Sequence, residues 1–278
     1  MTMPTHTSTA VAQAPESPAP PTPRGTLGIR ISHALTSVFS VACAILLWEV
    51  VSWYVPPLFL PSPRATVEAA WELWQDGMLA QAALASLGRI GAGWGLGLVI
   101  GIPLGIGMGS FALARRLLDP FIDFFRFIPP IAFVTLAVIW LGPGEASKVA
   151  LIFYATVFIV VVSMIAGVGA VSESRMRAAA TLGAGRLRTL CTVVVPSTVP
   201  AMVTSARLAL GNSFLTVVSA EIVAAQEGIG ALIWVARNYS RTEWVFVGII
   251  MLGILGLVCD RTLRYCALRL LKRYDVTA

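Results

Sequence analysis

Six stretches of largely apolar residues recur along this chain, at roughly 34–55, 84–110, 118–141, 149–170, 198–222 and 244–262. A helix needs about 20 such residues to cross a bilayer. No water reaches the bilayer interior to satisfy backbone amides left outside a helix or a closed barrel. Only 12% of the 278 residues are charged, against about 25% in a soluble domain. That is too little charge to coat a water-facing surface. The pattern predicts an all-α fold: a polytopic membrane helical bundle of about six transmembrane helices. The net charge of +6 would suggest nucleic acid as a partner of a soluble protein. Here it reads as basic residues gathered in loops on one side of the membrane, where they set orientation, and no nucleic-acid partner is expected.

Counting Lys and Arg with an even number of spans places both termini in the cytoplasm. That side would hold Arg24, Arg30, Arg115, Arg116, the four arginines of the 173–196 loop, and Arg261, Arg264, Arg269, Lys272 and Arg273. The other side would hold Arg64, Lys148, Arg237 and Arg241. Residues 1–30 are rich in Pro, Ser, Thr and Ala and read as a disordered cytoplasmic tail, with no cleavable signal peptide. Residues 31–80 would form a first transmembrane helix and an outer-surface helix, and 81–270 the main transmembrane domain. The cysteines, Cys43, Cys191, Cys259 and Cys266, show no metal-ligand spacing and predict neither a disulfide nor a metal site.

Within this frame several local signals stand out. Ser62-Pro63 has the form of an N-cap followed by proline at the first helical position. Val67, Ala70, Trp71, Trp74 and Met78 then share one face, as in a helix lying on the membrane surface among lipid headgroups. Gly93, Gly97, Gly101, Gly105 and Gly109 recur every four residues in the second span. Such a stripe lets another helix approach closely, for fixed packing or for sliding, and Pro103 should bend the helix that carries it.

The third span opens at Asp119-Pro120 and is broken at Pro129-Pro130, with Asp123 and Arg126 spaced to pair. Broken membrane helices pack against protein or a water-filled path, so Arg126, Pro129 and Pro130 are candidates for the translocation pathway. Arg207 and Glu221, ionisable residues of the fifth span, join them. Arg207 would face protein or water; Glu221 stands near the outer end, where solvent is the alternative. The 223–243 segment, too short and polar to span, is either a gate-lining or receptor-contacting segment or an ordinary connector.

One loop departs from the bilayer logic. Residues 173–196, ESRMRAAATLGAGRLRTLCTVVVP, carry four arginines against one acid and are divided by Gly183 into two helix-prone pieces. The chain contains no GxxxxGK[ST] phosphate loop, no HExxH and no arguable Ser-His-Asp set. It is not expected to be an enzyme or to bind a cofactor; if the chain serves active transport, the energy must come from an ion gradient or another subunit.

The loop resembles the signature of permease subunits of bacterial ATP-binding-cassette importers: EAA, three residues, G, nine residues, I-x-L-P. Here Arg177-Ala178-Ala179 is followed at that spacing by Gly183 and by Val193-Val194-Val195-Pro196, with Arg177 in place of the glutamate. The segments LFLPSPRATVEAAWEL, ASLGRIGAGWGLGLVIGIPLGIGMG and SAEIVAAQEGIGALI extend the resemblance over about 56–270, toward the nitrate, taurine and aliphatic sulfonate branch. The resemblance implies a type-1 transmembrane domain in the bacterial inner membrane, paired with a second permease copy. It further implies two cytoplasmic ATPase subunits and an extracytoplasmic solute-binding protein.

Arg177, Ala178, Ala179, Gly183, Arg186 and Pro196 would form the ATPase-coupling loop, its first helical piece closed by a left-handed cap at Gly183. The implied cargo is a small anionic or zwitterionic solute. Relatives carrying thiamine precursors or riboflavin share much of the pattern. A gradient-driven secondary transporter is the alternative mechanism; it would need a protonatable group near the midplane.

Overall fold

The computed structural model describes residues 26–224 and 226–271, and among them it is helical with no strand. The expected tail therefore lies outside the described residues up to position 25, while Thr26–Arg30 already belongs to α1, Thr26–Ser52. The chain divides into two units at Trp48/Glu49. The first contributes the described part of α1 up to Trp48, with Phe39, Leu46 and Leu47 exposed. The packing described below belongs to the second unit.

That unit begins with the end of α1 and a turn into α2, Pro63–Gln75. Ser62 caps α2, its Oγ accepting from the Ala65 N–H at 3.2 Å, and Pro63 takes the first helical position. The helix buries Thr66, Ala69 and Leu73 and leaves Val67, Trp71 and Trp74 exposed. Its apolar face is therefore split: one edge packs inward and the other stays available to lipid.

Among the described residues four segments are long and apolar enough to cross a membrane: Met78–Ser110, Glu145–Gly169, Arg186–Val223 and Thr242–Arg269. The first two are α3 and α6, the third contains all but the last residue of α9 (Val195–Ala224), and the fourth lies within α11 (Thr242–Leu270). The broken third span provides a fifth as a bent pair: α4, Ala112–Phe125, then a 3-10 turn at Pro130–Phe133 and α5, Val134–Leu141, at 88° across the break. The break falls at the paired prolines, as expected. The start does not: α4 begins at Ala112 and runs through Pro120. The helix is already under way when it reaches Pro120, so this is not an opening proline. The first expected span is helical, but its described apolar stretch, Val38–Ser52, is shorter than the others. Helix α3 also continues without a break past Pro103.

The glycine stripe positions the rest. α3 packs along α6, and each glycine faces a residue four places on from the last. A Cβ at Gly93, Gly97, Gly101, Gly105 or Gly109 would collide with Ile152, Thr156, Val160, Met164 or Val168, at 2.3–2.9 Å for the nearest atom. Matched four-residue rows on both helices are ridge-and-groove packing with the ridge of one helix removed. Along this seam, Ile90, Ile152, Leu210 and Val217 form one core cluster, and Ile106, Val160, Met164 and Ala209 another. α9 thus lies against both α3 and α6.

The 223–243 segment contains α10, Ile229–Asn238, whose Ile229, Gly230, Ala231, Leu232 and Ala236 are buried. It is wedged into the bundle, against α3, α9 and α11. Gly248 of α11 admits it, since a Cβ there would stand 2.6 Å from Ile233.

Candidate functional site

Two regions carry the predicted residues. The first is the 173–196 loop. It forms α7, Glu173–Thr181, then a turn at Leu182–Gly185, then α8, Arg186–Thr189. Gly183 has φ +71°. Its N–H donates to the Ala180 carbonyl at 3.0 Å, and the Ala184 N–H donates to the Ala179 carbonyl at 3.0 Å. These two bonds are a Schellman cap, and they satisfy carbonyls that the helix end would leave open. From Arg186 the chain is continuously helical to Val223, through a π-helical turn at Leu190–Val194 that leads into Pro196 and α9.

Arg177 is exposed and pairs within α7 to Glu173 at 2.7 Å. The arginine that stands where an acid was expected therefore has its own acid one turn earlier. Arg175 donates to Ser197 Oγ at 3.2 Å and ties α7 to the start of α9. Ala179 is buried, but Leu182 is 86% exposed and Leu187 is 70% exposed. Beside the loop lies an open cleft of about 910 Å³ lined by Arg175, Ala178, Leu182, Arg188, Pro196 and others.

The second region is the broken third span. Arg126, Phe127, Pro129 and Pro130 line a cleft of about 510 Å³ whose opposite wall is Tyr154, Phe158, Ser163 and Asn212. That size falls in the range of small-molecule sites. Arg126 pairs with Asp123 at 3.0 Å and lies over the Phe127 ring at 4.8 Å. Tyr154 Oη donates to the Phe125 carbonyl at 2.6 Å, and the Ile128 carbonyl lies at 3.3 Å. The break thus exposes carbonyls that a side chain from α6 collects, which is how irregular backbone survives at membrane depth. Phe125, Tyr154, Phe158 and Phe133 form a run of ring contacts along this wall.

Arg207 and Glu221 do not line that cleft. Arg207 is bidentate to Asp260 of α11, with Nε–Oδ1 at 2.8 Å and Nη2–Oδ2 at 3.0 Å. Glu221 is not solvated at the outer end; it is fully buried. It accepts from Arg89 Nη1 at 2.7 Å, Ser86 Oγ at 2.8 Å and the Gly230 N–H at 2.8 Å. Arg89 also grips Glu145 at 2.6 and 2.8 Å and donates to the Glu227 carbonyl at 2.6 Å. Lys148, which the charge count assigned to the non-cytoplasmic side, is buried and donates to Glu145 at 2.8 Å.

This network was not foreseen. A usable signal was present: Ser86 and Arg89 share a helix face, and a carboxylate shortly precedes Gly228-Ile229-Gly230. Their pairing depends on which helices meet.

A bundle with a glycine-seamed helix pair, a broken span beside a cleft and a capped basic loop leading into an apolar span has the build of the membrane-embedded part of a transporter. Residues 97–272 match the family described as binding-protein-dependent transport system inner membrane component, and the chain belongs to that family. It is 36% identical over 241 residues to the taurine transport system permease protein TauC of Escherichia coli, covering 84% of this chain and 88% of TauC. It is 30% identical over 233 residues to the putative aliphatic sulfonates transport permease protein SsuC of Bacillus subtilis, covering 83% of this chain and 84% of SsuC.

Among solved structures, inward-facing conformations of the MetNI methionine ABC transporter share the fold. The TM-score is 0.54 at 17% identity, covering 67% of this chain and 96% of that chain. The protein is a permease component of an ATP-driven importer, a transport subunit of the inner membrane.

Proposed function

We propose that this permease carries a small sulfonate or a similar anionic or zwitterionic solute, of the taurine and aliphatic sulfonate kind, into the cytoplasm by alternating access. Nitrate falls within the same anionic class. ATP is hydrolysed on a separate pair of cytoplasmic subunits, a solute-binding protein delivers the cargo from outside, and two permease copies enclose the path. Both termini and the 173–196 loop face the cytoplasm. The likeness to TauC and SsuC supports the cargo class. The arginine distribution supports the orientation.

The observation that carries the coupling role is the capped loop itself. Leu182 and Leu187 project, exposed, from a short basic element that leads into the apolar segment Arg186–Val223, where apolar side chains gain by entering a partner's groove. Arg186 and Arg188 flank them for acidic groups on that partner. Ala178 and Ala179 keep α7 slim, Gly183 fixes its end, and Pro196 starts the helix that receives the push. Arg177, paired to Glu173, shapes α7 in place of an intersubunit contact. The pathway role falls to the cleft at Arg126, Pro129 and Pro130, with Tyr154 and Asn212 facing them. Arg207 and Glu221 hold helices together.

The test is co-purification with the cognate ATPase after Leu182→Glu plus Leu187→Glu, two changes at exposed positions that leave the bundle intact. Loss of the ATPase from a normally inserted permease is expected. Retention of a full complement of ATPase would refute the coupling role. In the same complex, Arg126→Gln should lower taurine uptake while ATP hydrolysis persists.

A further inference from the structure

The buried network at Glu221 has an unusual position in the chain's mechanics. Helical backbone runs without a break from Arg186 to Val223, so one rod of about 1.5 Å rise per residue joins the 173–196 loop to Glu221. At the far end of that rod Glu221 accepts four hydrogen-bond contacts, two of them from Ser86. Ser86 Oγ in turn accepts from the Ile229 N–H at 2.9 Å. A single carboxylate therefore binds α9 to α3 through Ser86 and Arg89, to α6 through Arg89 and Glu145, and to α10 through Gly230.

No side chain separates these groups. Gly228 has φ +121°, and a Cβ there would stand 2.4 Å from the Glu221 carboxyl and 2.6 Å from Arg89 Nη1. A Cβ at Gly230 would stand 2.9 Å from Glu221 Cβ. The two glycines let the backbone at the start of α10 close directly onto the ion pair. Glu221 is fully buried and Arg89 nearly so, so the pair has no water to fall back on and its partners are held at fixed positions.

We propose that Glu221, Arg89 and Ser86 are positioning residues for transport: they form the joint through which movement of the 173–196 loop, carried along α9, reaches α10 and the opposite end of the bundle. This rests on the reading of that loop as the ATPase contact. The joint makes α3, α6, α9 and α10 move as one body at that end. With it cut, α9 would still move, and α10 would no longer follow.

The experiment is hydrogen exchange on the assembled permease–ATPase complex, with and without ATP plus vanadate, reading the amides of α10. It needs no knowledge of the solute. In the unaltered complex the nucleotide is expected to change α10 exchange, whereas in Glu221→Gln and in Ser86→Ala that response should shrink by about five- to a hundredfold, the usual span of coupling between sites. Basal ATP hydrolysis and assembly should persist. Ser86→Ala is the gentler variant, since it keeps the Arg89–Glu221 pair and removes only the hydroxyl between α3, α9 and α10.

A nucleotide response of α10 that is undiminished in either assembled variant would overturn the proposal. So would failure of both variants to assemble, because the network would then be needed to build the chain and not to transmit motion. If α10 in the unaltered complex ignores nucleotide while the ATPase stays bound, the joint is likewise overturned with the docking reading intact. If the unaltered loop is dispensable for ATPase binding, it is the docking reading that fails.

Discussion

Two alanine substitutions two residues apart on α3 should move stability in opposite directions. A Cβ at Gly97 would stand 2.3 Å from Thr156 Cγ2 and 2.6 Å from Thr156 Cβ, against an ordinary carbon–carbon contact of about 3.5–4.0 Å. Thr156 cannot yield. It is fully buried, its χ1 is restricted by branching at Cβ, and its hydroxyl lies 3.1 Å from Ser213 Oγ of α9. Relief must come from α3 moving off α6 by about 1 Å, a gap that forfeits a quarter to a half of each contact along the seam.

Overpacking of this kind costs about 1–3 kcal/mol. A Cβ at Gly95, on the other face, would meet nothing within 4 Å, so Gly95→Ala only removes glycine's backbone entropy penalty and should stabilise by about 0.5–1 kcal/mol. The two variants are thus expected to differ by about 1.5–4 kcal/mol. Thermal unfolding of the purified protein in one detergent, followed by loss of monodisperse protein, measures the order. If Gly97→Ala proved as stable as Gly95→Ala, the close seam between α3 and α6 would be wrong.

Further outcomes follow from other contacts. Tyr154→Phe removes the donor to the Phe125 carbonyl at the break in the third span, and should cost about 1 kcal/mol of stability in the same unfolding assay while leaving the aromatic wall in place. Asp260→Asn and Arg207→Gln should each destabilise. The double variant should recover part of the loss, with an interaction energy of about 0.5–1 kcal/mol, because this ion pair is about a third exposed and solvent screens it. Additivity of the two single losses would show that the pair contributes nothing. Gly183→Val puts a branched residue at φ +71°, a conformation that costs a residue with a Cβ about 1–2 kcal/mol. It should reduce ATPase co-purification without changing permease insertion, measured as the ratio of the two subunits.

Much of this protein can be read along the chain because the signals are local. The apolar runs become α3, α6, α9 and α11 since a bilayer admits little else. Ser62-Pro63 starts α2, and Gly183 closes α7, because a cap is settled by the few residues around it. The prolines at 129 and 130 break the third span for the same reason. Pro120 misled as a helix start because proline is tolerated inside a membrane helix when neighbouring groups take up the freed carbonyl.

The spacing of the α3 glycines foretold a close partner. Only the tertiary structure named α6 as that partner, with Ile152, Thr156, Val160, Met164 and Val168 in matching register. The ion pairs were settled at the same level. Arg89 and Glu221 are 132 residues apart and Arg207 and Asp260 are 53 apart, so no periodicity links them. A charge in an apolar span announces that it needs a partner, because burying it alone is so costly. Which partner it finds depends on which helices pack together, and that choice is made by the fold as a whole.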